Sequence, residues 1–194
     1  MTPQGRPPVT TGTKGQRSDA RRNYQQILSV AAVVVREQGT QASLREVARR
    51  AGVGLGTLYR HFPTRDALLE AVLSDGMRQL VIRSDQLSHS HSPRDALVQW
   101  LREFTSGAAI FTGLPAALIA ASTDPQSALY DACTSLSAAA ERLAARAQGD
   151  GSVRADITGA DLIAAAGAIA SINESAPPGR TERLLTLLFD GLTP

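Results

Sequence analysis

The stretch Ser43–Arg65, SLREVARRAGVGLGTLYRHFPTR, restricts what this chain can fold into more than any other segment. Leu44, Val47, Ala48 and Ala51 recur at helical spacing and give a short helix one apolar face. Ser43 and Glu46 form an S-x-x-E pattern, which predicts a capping box at its start. Gly52 ends the helix, because glycine reaches the left-handed backbone that a tight turn demands. Val53 tucks under the turn, a second helix follows from about Leu55 with Leu58 and Phe62 inward, and Pro63 stops it. Two short helices around a glycine turn make a helix-turn-helix, whose second helix fits a DNA major groove. Thr57, Tyr59, Arg60 and His61 face outward and donate hydrogen bonds, and Arg45 and Arg65 flank them with positive charge. Phosphates and base edges both accept from such groups. On spacing alone, a helical hairpin with a solvated basic face is the competing reading.

Two helices this short bury too little apolar surface to stand alone. A preceding helix from about Asp19 to Gln38 supplies the missing face, with Ile27, Leu28, Ala31, Val34 and Val35 as its buried stripe. Residues 1–18 are rich in Pro, Gly and Thr without an apolar period and read as a disordered basic arm, suited to added phosphate or minor-groove contacts. The net charge of +2 hides a division. Residues 1–65 hold 11 basic and 3 acidic side chains, a net +8, against 9 and 15 in the remainder, a net −6. A basic first third joined to an acidic remainder is the electrostatic footprint of a nucleic-acid-binding unit fused to something else.

The run from about Tyr24 to Val72 resembles the N-terminal domain of the TetR family of bacterial transcriptional repressors. A helix ending VREQGTQAS precedes LREVARRAGVGLGTLYRHFPTRDALLEAV, and Ala51-Gly52-Val53 with Gly56 through Pro63 (GTLYRHFP) carries the likeness. Beyond about residue 75 only length and all-helical character match. The resemblance implies an all-α fold: a three-helix DNA-binding domain with the helix-turn-helix over 19–66, then a larger helical effector-binding and dimerisation domain over 67–194. It implies a regulator released from a palindromic double-stranded DNA operator by a small apolar or amphipathic effector, with a constitutive DNA-binding protein lacking an effector as the alternative. By the family pattern Arg45, Leu55, Gly56, Thr57, Tyr59, Arg60, His61 and Arg65 face the DNA. Arginine is the natural partner of guanine, so Arg45 and Arg60 are assigned to base edges and Thr57, Tyr59, His61 and Arg65 mainly to phosphates. Leu55 and Gly56 stand where polar residues or proline are usual, which leaves contact with a thymine methyl as the direct readout there.

Aromatic residues make up only 4% of the chain while hydrophobic residues reach 43%, a balance that favours packed helices over sheets. Thr64 is the expected N-cap of a fourth helix running toward Leu87, the lever between the two domains. SHSHSP, with His89 and His91, reads as a connector, since no carboxylate or cysteine joins them as a metal ligand. A fifth helix starts at Pro93 and Asp95, Gly113 and Pro115 interrupt it, and a sixth segment ends near Ala121. Asp124-Pro125 opens a seventh, ending near Gln148. The last pair, Asp161–Asn173 and Arg180–Leu192, is apolar nearly all round and wants burial on two sides. A homodimer with a four-helix interface satisfies it through Leu162, Ile163, Ala166, Ile169, Ala170, Leu184, Leu185, Leu188 and Leu192; a core hairpin in a monomer is the alternative. An effector pocket, if there is one, is expected among helices four to seven, with Met77, Trp100, Phe104, Phe111, Leu118, Leu129 and Cys133 as apolar lining and Thr105 or Asn173 as polar anchors; plain core is the competing reading for each.

No G-x-S-x-G, H-E-x-x-H or Cys/His cluster is present, so neither an enzyme, a metal site nor a cofactor is expected. The single cysteine excludes an internal disulfide and fits a reducing compartment. The N-terminus lacks the apolar segment of a signal peptide, and the longest apolar run, Leu162–Ile172, is too short to span a membrane. A cytoplasmic, nucleoid-associated protein is expected.

Overall fold

The computed structural model describes residues 12–108, 116–172 and 177–194, without the side chains of 12–20, 116, 117 and 119. Every regular element among them is helical. The first unit comprises α1 (Gly12–Gln38), a 3-10 turn (Gly39–Gln41), α2 (Leu44–Ala51) and α3 (Leu55–His61). The long α4 (Arg65–Ser90) leads into α5 (Pro93–Ala108), α6 (Ala116–Ala121), α7 (Ala128–Gly149), α8 (Gly159–Ser171) and α9 (Arg180–Asp190).

Two apolar cores are stacked along α4. The first gathers Ile27, Leu28, Ala31, Val34 and Val35 of α1, Val47, Ala48 and Ala51 of α2, and Leu58 and Phe62 around α3, all on Leu68, Leu69, Val72 and Leu73 of α4. The second gathers Leu97, Trp100 and Leu101 of α5 with Leu136, Leu143 and four alanines of α7, Leu162 and Ala166 of α8, and Leu185 and Phe189 of α9. Met77 packs against both. Trp100 is fully buried, stacks on Phe104 at 5.8 Å, and donates its indole N–H to the Leu80 carbonyl at 2.8 Å, which satisfies its one polar atom.

Helix ends follow local chemistry, with several departures from the sequence reading. Gly52 adopts φ 66° as required, and the Val53 amide closes the turn onto the Ala48 carbonyl at 3.1 Å. Thr64 caps α4, its hydroxyl accepting from the Ala67 amide at 3.0 Å. The capping box expected at Ser43 does not form: the Ser43 hydroxyl makes no cap bond, and the Glu46 carboxylate is held by Arg49 and Arg50. A capping box stands at Thr158 and Asp161, and it starts α8 at Gly159, two residues before the expected Asp161. At Gly159 a Cβ would lie 2.4 Å from the Glu141 backbone nitrogen, so only glycine lets α8 approach α7 this closely.

α1 begins at Gly12 rather than Asp19, since no proline interrupts residues 12–18 and an established helix extends cheaply. The expected arm lies for the rest, residues 1–11, outside the described residues. α4 continues to Ser90, so His89 ends a helix and its Nδ1 lies 2.6 Å from the Asp85 carbonyl. α7 starts at Ala128 rather than at Asp124-Pro125; the Asp124 carboxylate takes the Gln126 amide in a turn, and Ser127 becomes the cap. Among the described residues no helix is long and apolar enough to cross a membrane, and no group of three or more potential metal ligands occurs.

Candidate nucleic-acid interface and inner cavity

Burying Leu58 and Phe62 turns the opposite side of α3 to solvent. Tyr59 is 44% exposed, and Gly56 and Arg60 are exposed beside it. Arg60 lies back along its own helix, donating to the Thr57 hydroxyl at 3.0 Å. His61 is half-buried and meets Tyr24 of α1 edge-on at 5.9 Å, while Tyr24 stacks on Phe62 at 5.1 Å. These rings fix α3 to α1. Leu55 is also half-buried and packs on the first core, so it presents less surface outward than its sequence position suggests.

Arg45 is exposed on α2, and Arg65 opens α4 with its guanidinium donating to Gln41 Oε1 at 2.8 Å. Together with Ser43, Tyr59 and Thr64 they wall an open notch of about 510 Å³. The N-termini of α2 and α4 both end at it, so two helix dipoles and two arginines outweigh the carboxylate of Asp66 there and favour an anion. Sequence reasoning spent Ser43 on a cap; its hydroxyl makes no cap bond and stands in the notch wall.

Two further arginines are occupied. Glu46 accepts from Arg49 at 2.7 Å and from Arg50 at 2.6 Å, and Arg50 also reaches Glu37 of α1 at 2.6 Å. Those hydrogen bonds from Arg49 and Arg50 lower the Glu46 carboxyl from 4.5 to about 2. The bonds to Glu46, joined at Arg50 by one to Glu37, raise both guanidinium groups further. Positive charge is thus neutralised by Glu46 and Glu37 on the Arg49–Arg50 side of α2, while the notch holds Arg45 and Arg65 against the single acid Asp66.

A separate, mostly apolar cavity of about 490 Å³ lies where the two cores meet. Leu28, Ala32 and Arg36 of α1 line it with Val72, Gly76, Met77 and Leu80 of α4, Phe104 and Gly107 of α5, Cys133 and Leu136 of α7, and Ile163 of α8. Three expected lining residues, Met77, Phe104 and Cys133, are there. Trp100 and Thr105 are instead sealed in the second core, where Thr105 bonds back to the Leu101 carbonyl, and Leu118 and Leu129 belong to the first core. Phe111 and Asn173 lie outside the described residues. The contribution of α1 was missed because helix periodicity marks Leu28 and Ala32 as core and says nothing about a gap beside them. Burial pushes the Cys133 thiol up, and its sulfur contacts Met77 Sδ at 3.8 Å, so it is a packing group rather than a nucleophile.

The α8–α9 pair divides its apolar residues. Leu162, Ala166, Ala170, Leu185 and Leu192, named for a dimer interface, are buried within the protomer, while Ile163, Ile169, Leu184 and Leu188 are half-buried. Leu187, 67% exposed, and Ile172, 44% exposed, present the outer apolar surface that the sequence reading did not single out.

Comparison with known proteins matches residues 27–72 to the family model described as bacterial regulatory proteins, tetR family, and residues 92–194 to that of the C-terminal domain of SbtR-like transcriptional regulators. A TetR transcriptional regulator from Streptomyces coelicolor is similar in structure at 38% identity and TM-score 0.72, over 88% of this chain and 98% of that one. A TetR transcription regulatory protein from Mycobacterium vanbaalenii is similar at 35% identity and TM-score 0.70, over 92% and 99%. A curated HTH-type transcriptional regulator of Staphylococcus aureus is 36% identical over 75 residues; the match spans 37% of this chain and 39% of that relative.

Proposed function

We propose that this chain, which belongs to the TetR family of DNA-binding bacterial transcriptional regulators, is a homodimeric repressor that leaves a near-palindromic operator when a small ligand fills the inner cavity. One observation carries the reading. The single helix α4 begins at Arg65, in the wall of the basic notch, and lines the cavity with Val72, Gly76, Met77 and Leu80. From Arg65 to Met77 is about 18 Å of continuous helix at ~1.5 Å per residue, so a tilt that admits a ligand also moves Arg65. We place the boundary between the reading and effector units at residues 66 and 67, so that α4 crosses it. Two copies joined through α8 and α9 set their α3 helices apart, and an operator with half-sites ~34–36 Å apart accepts only one such separation. A ligand that binds the other separation better releases the DNA.

Arg45 and Arg60 are the residues offered to base edges, with Ser43, Thr57, Tyr59, His61 and Arg65 on phosphates. A constitutive DNA-binding protein is the second reading. Gly76 and Gly107 weigh against it: both line the cavity, a Cβ at either would meet nothing within 4 Å, and inside α4 Gly76 costs about 1 kcal/mol against alanine. Packing does not require them, and they keep the cavity wide.

The test is selection of genomic fragments on the full-length protein, followed by gel shift of the selected operator with Tyr59→Ala and Arg45→Ala. Each substitution is expected to cut affinity roughly tenfold or more at an unchanged melting temperature. Undiminished binding by both would remove α3 and the notch from the reading surface. Screening metabolites by thermal shift and then by operator release separates the ligand-responsive from the constitutive reading.

A further inference from the structure

We propose that the inner cavity takes an anionic amphiphile, its negative head on the Arg36 guanidinium of α1 and its apolar body along Val72, Met77, Phe104 and Leu136. The inference rests on the cavity being the effector site and adds the chemical class of the effector. Four charged side chains line this cavity and the shallow depression beside it: Arg36, Asp75, Arg102 and Glu103. Three of them are already neutralised. Asp75 accepts from Arg78 at 3.0 Å; Glu103 takes the Arg83 Nε with both oxygens at 3.0 Å; Arg102 is paired with Glu182 and lies over the Phe189 ring at 5.0 Å. Arg36 is the one without a partner among the described residues, and it lines both concavities. The local balance is therefore one uncompensated positive charge at the edge of a mostly apolar space.

Arg36 is exposed on the last turn of α1, where the negative end of the helix dipole holds the guanidinium and offsets part of its charge, so an anionic head is held by the guanidinium itself. Its planar fork suits a carboxylate, sulfonate or phosphate head, and the apolar body of the ligand adds burial in the cavity beside it. A cationic head would meet Arg36 with like charge and would have to displace Arg78 or Arg83 from its acid. α1 belongs to the reading unit, so such a ligand touches that unit directly as well as through α4.

The test titrates the full-length protein by calorimetry with decanoate, 1-decanol and decyltrimethylammonium, all below their micellar range. Decanoate is expected to bind about tenfold or more tighter than decanol, and the ammonium compound weakest. Arg36→Gln should bring decanoate to the level of decanol while decanol is unchanged. Gly76→Leu and, independently, Gly107→Val should fill the cavity and abolish binding of both, with melting curves checking that the fold persists. Tightest binding by the ammonium compound, a decanoate preference that survives Arg36→Gln, or no binding by any of the three would overturn the inference. Decanoate that binds through Arg36 yet leaves the operator complex intact would retire the ligand-responsive reading and keep the site. Operator release by uncharged ligands, indifferent to Arg36→Gln, would do the reverse.

Discussion

The two halves of this molecule use their helices in opposite ways. In the first unit each helix turns one face to a small core and leaves the other outside, so the residues we propose for DNA are exposed Arg45, Tyr59 and Arg60 with half-buried Arg65 beside them. The proposed effector chemistry is on the inside, in a space left between α1 of the first unit and α4, α5, α7 and α8. The first unit therefore depends on what its surface carries, the second on what its core omits. Substitutions should separate the two accordingly.

The largest effect is expected at Trp100. Trp100→Ala empties the centre of the second core and should cost about 3–5 kcal/mol by denaturant titration. Operator affinity measured on the fraction still folded should hold; its loss there would couple the cores more tightly than two clusters sharing Met77 allow. Gly159→Ala comes next, at about 1–3 kcal/mol, because the added methyl meets the backbone of α7 rather than a side chain able to move. An unchanged melting temperature would mean that α8 is free to withdraw from α7.

Arg60→Ala reverses the pattern. Stability should be unaffected, since Arg60 is exposed and bonded only within α3, while operator affinity falls by about 1–3 kcal/mol and selectivity relaxes at one base position. A uniform loss across sequences would reassign Arg60 to phosphate. The smallest effect concerns pH. The Glu46 carboxyl is held at about 2 against an ordinary 4.5, so its contribution is complete above about 4.5 and lost as pH falls toward about 2. Glu46→Gln should lose that contribution at neutral pH and show a shallower acid limb in unfolding experiments.

Local chemistry explains which features were readable beforehand. Gly52 requires a left-handed backbone wherever it occurs in such a turn, and Thr64 caps α4 from within its own four residues, so both were legible without tertiary information. The box read at Ser43 and Glu46 is absent, and its carboxylate is taken by other partners. Glu46 had two arginines within one helical turn and a link through Arg50 to Glu37, thirteen residues away, and those bonds took the carboxylate from the cap. Thr158 and Asp161, with no cation competing, made the box that Ser43 and Glu46 did not. Among the apolar residues the limit was direction: Leu187 and Leu185 are two residues apart with the same side chain, yet one is exposed and the other buried.

The sequence by itself determined the helix-turn-helix, its family and the basic face of its second helix, because a turn residue, a cap and a 3.6-residue period act over a few positions of chain. Only the tertiary structure decided that α1 shares in the inner cavity, that Trp100, Leu118 and Leu129 sit in the cores, and that Arg36 has no counter-charge among the described residues. A cavity, a buried face and an unpaired charge are relations among residues far apart in the chain, and the packing of one helix on another settles them.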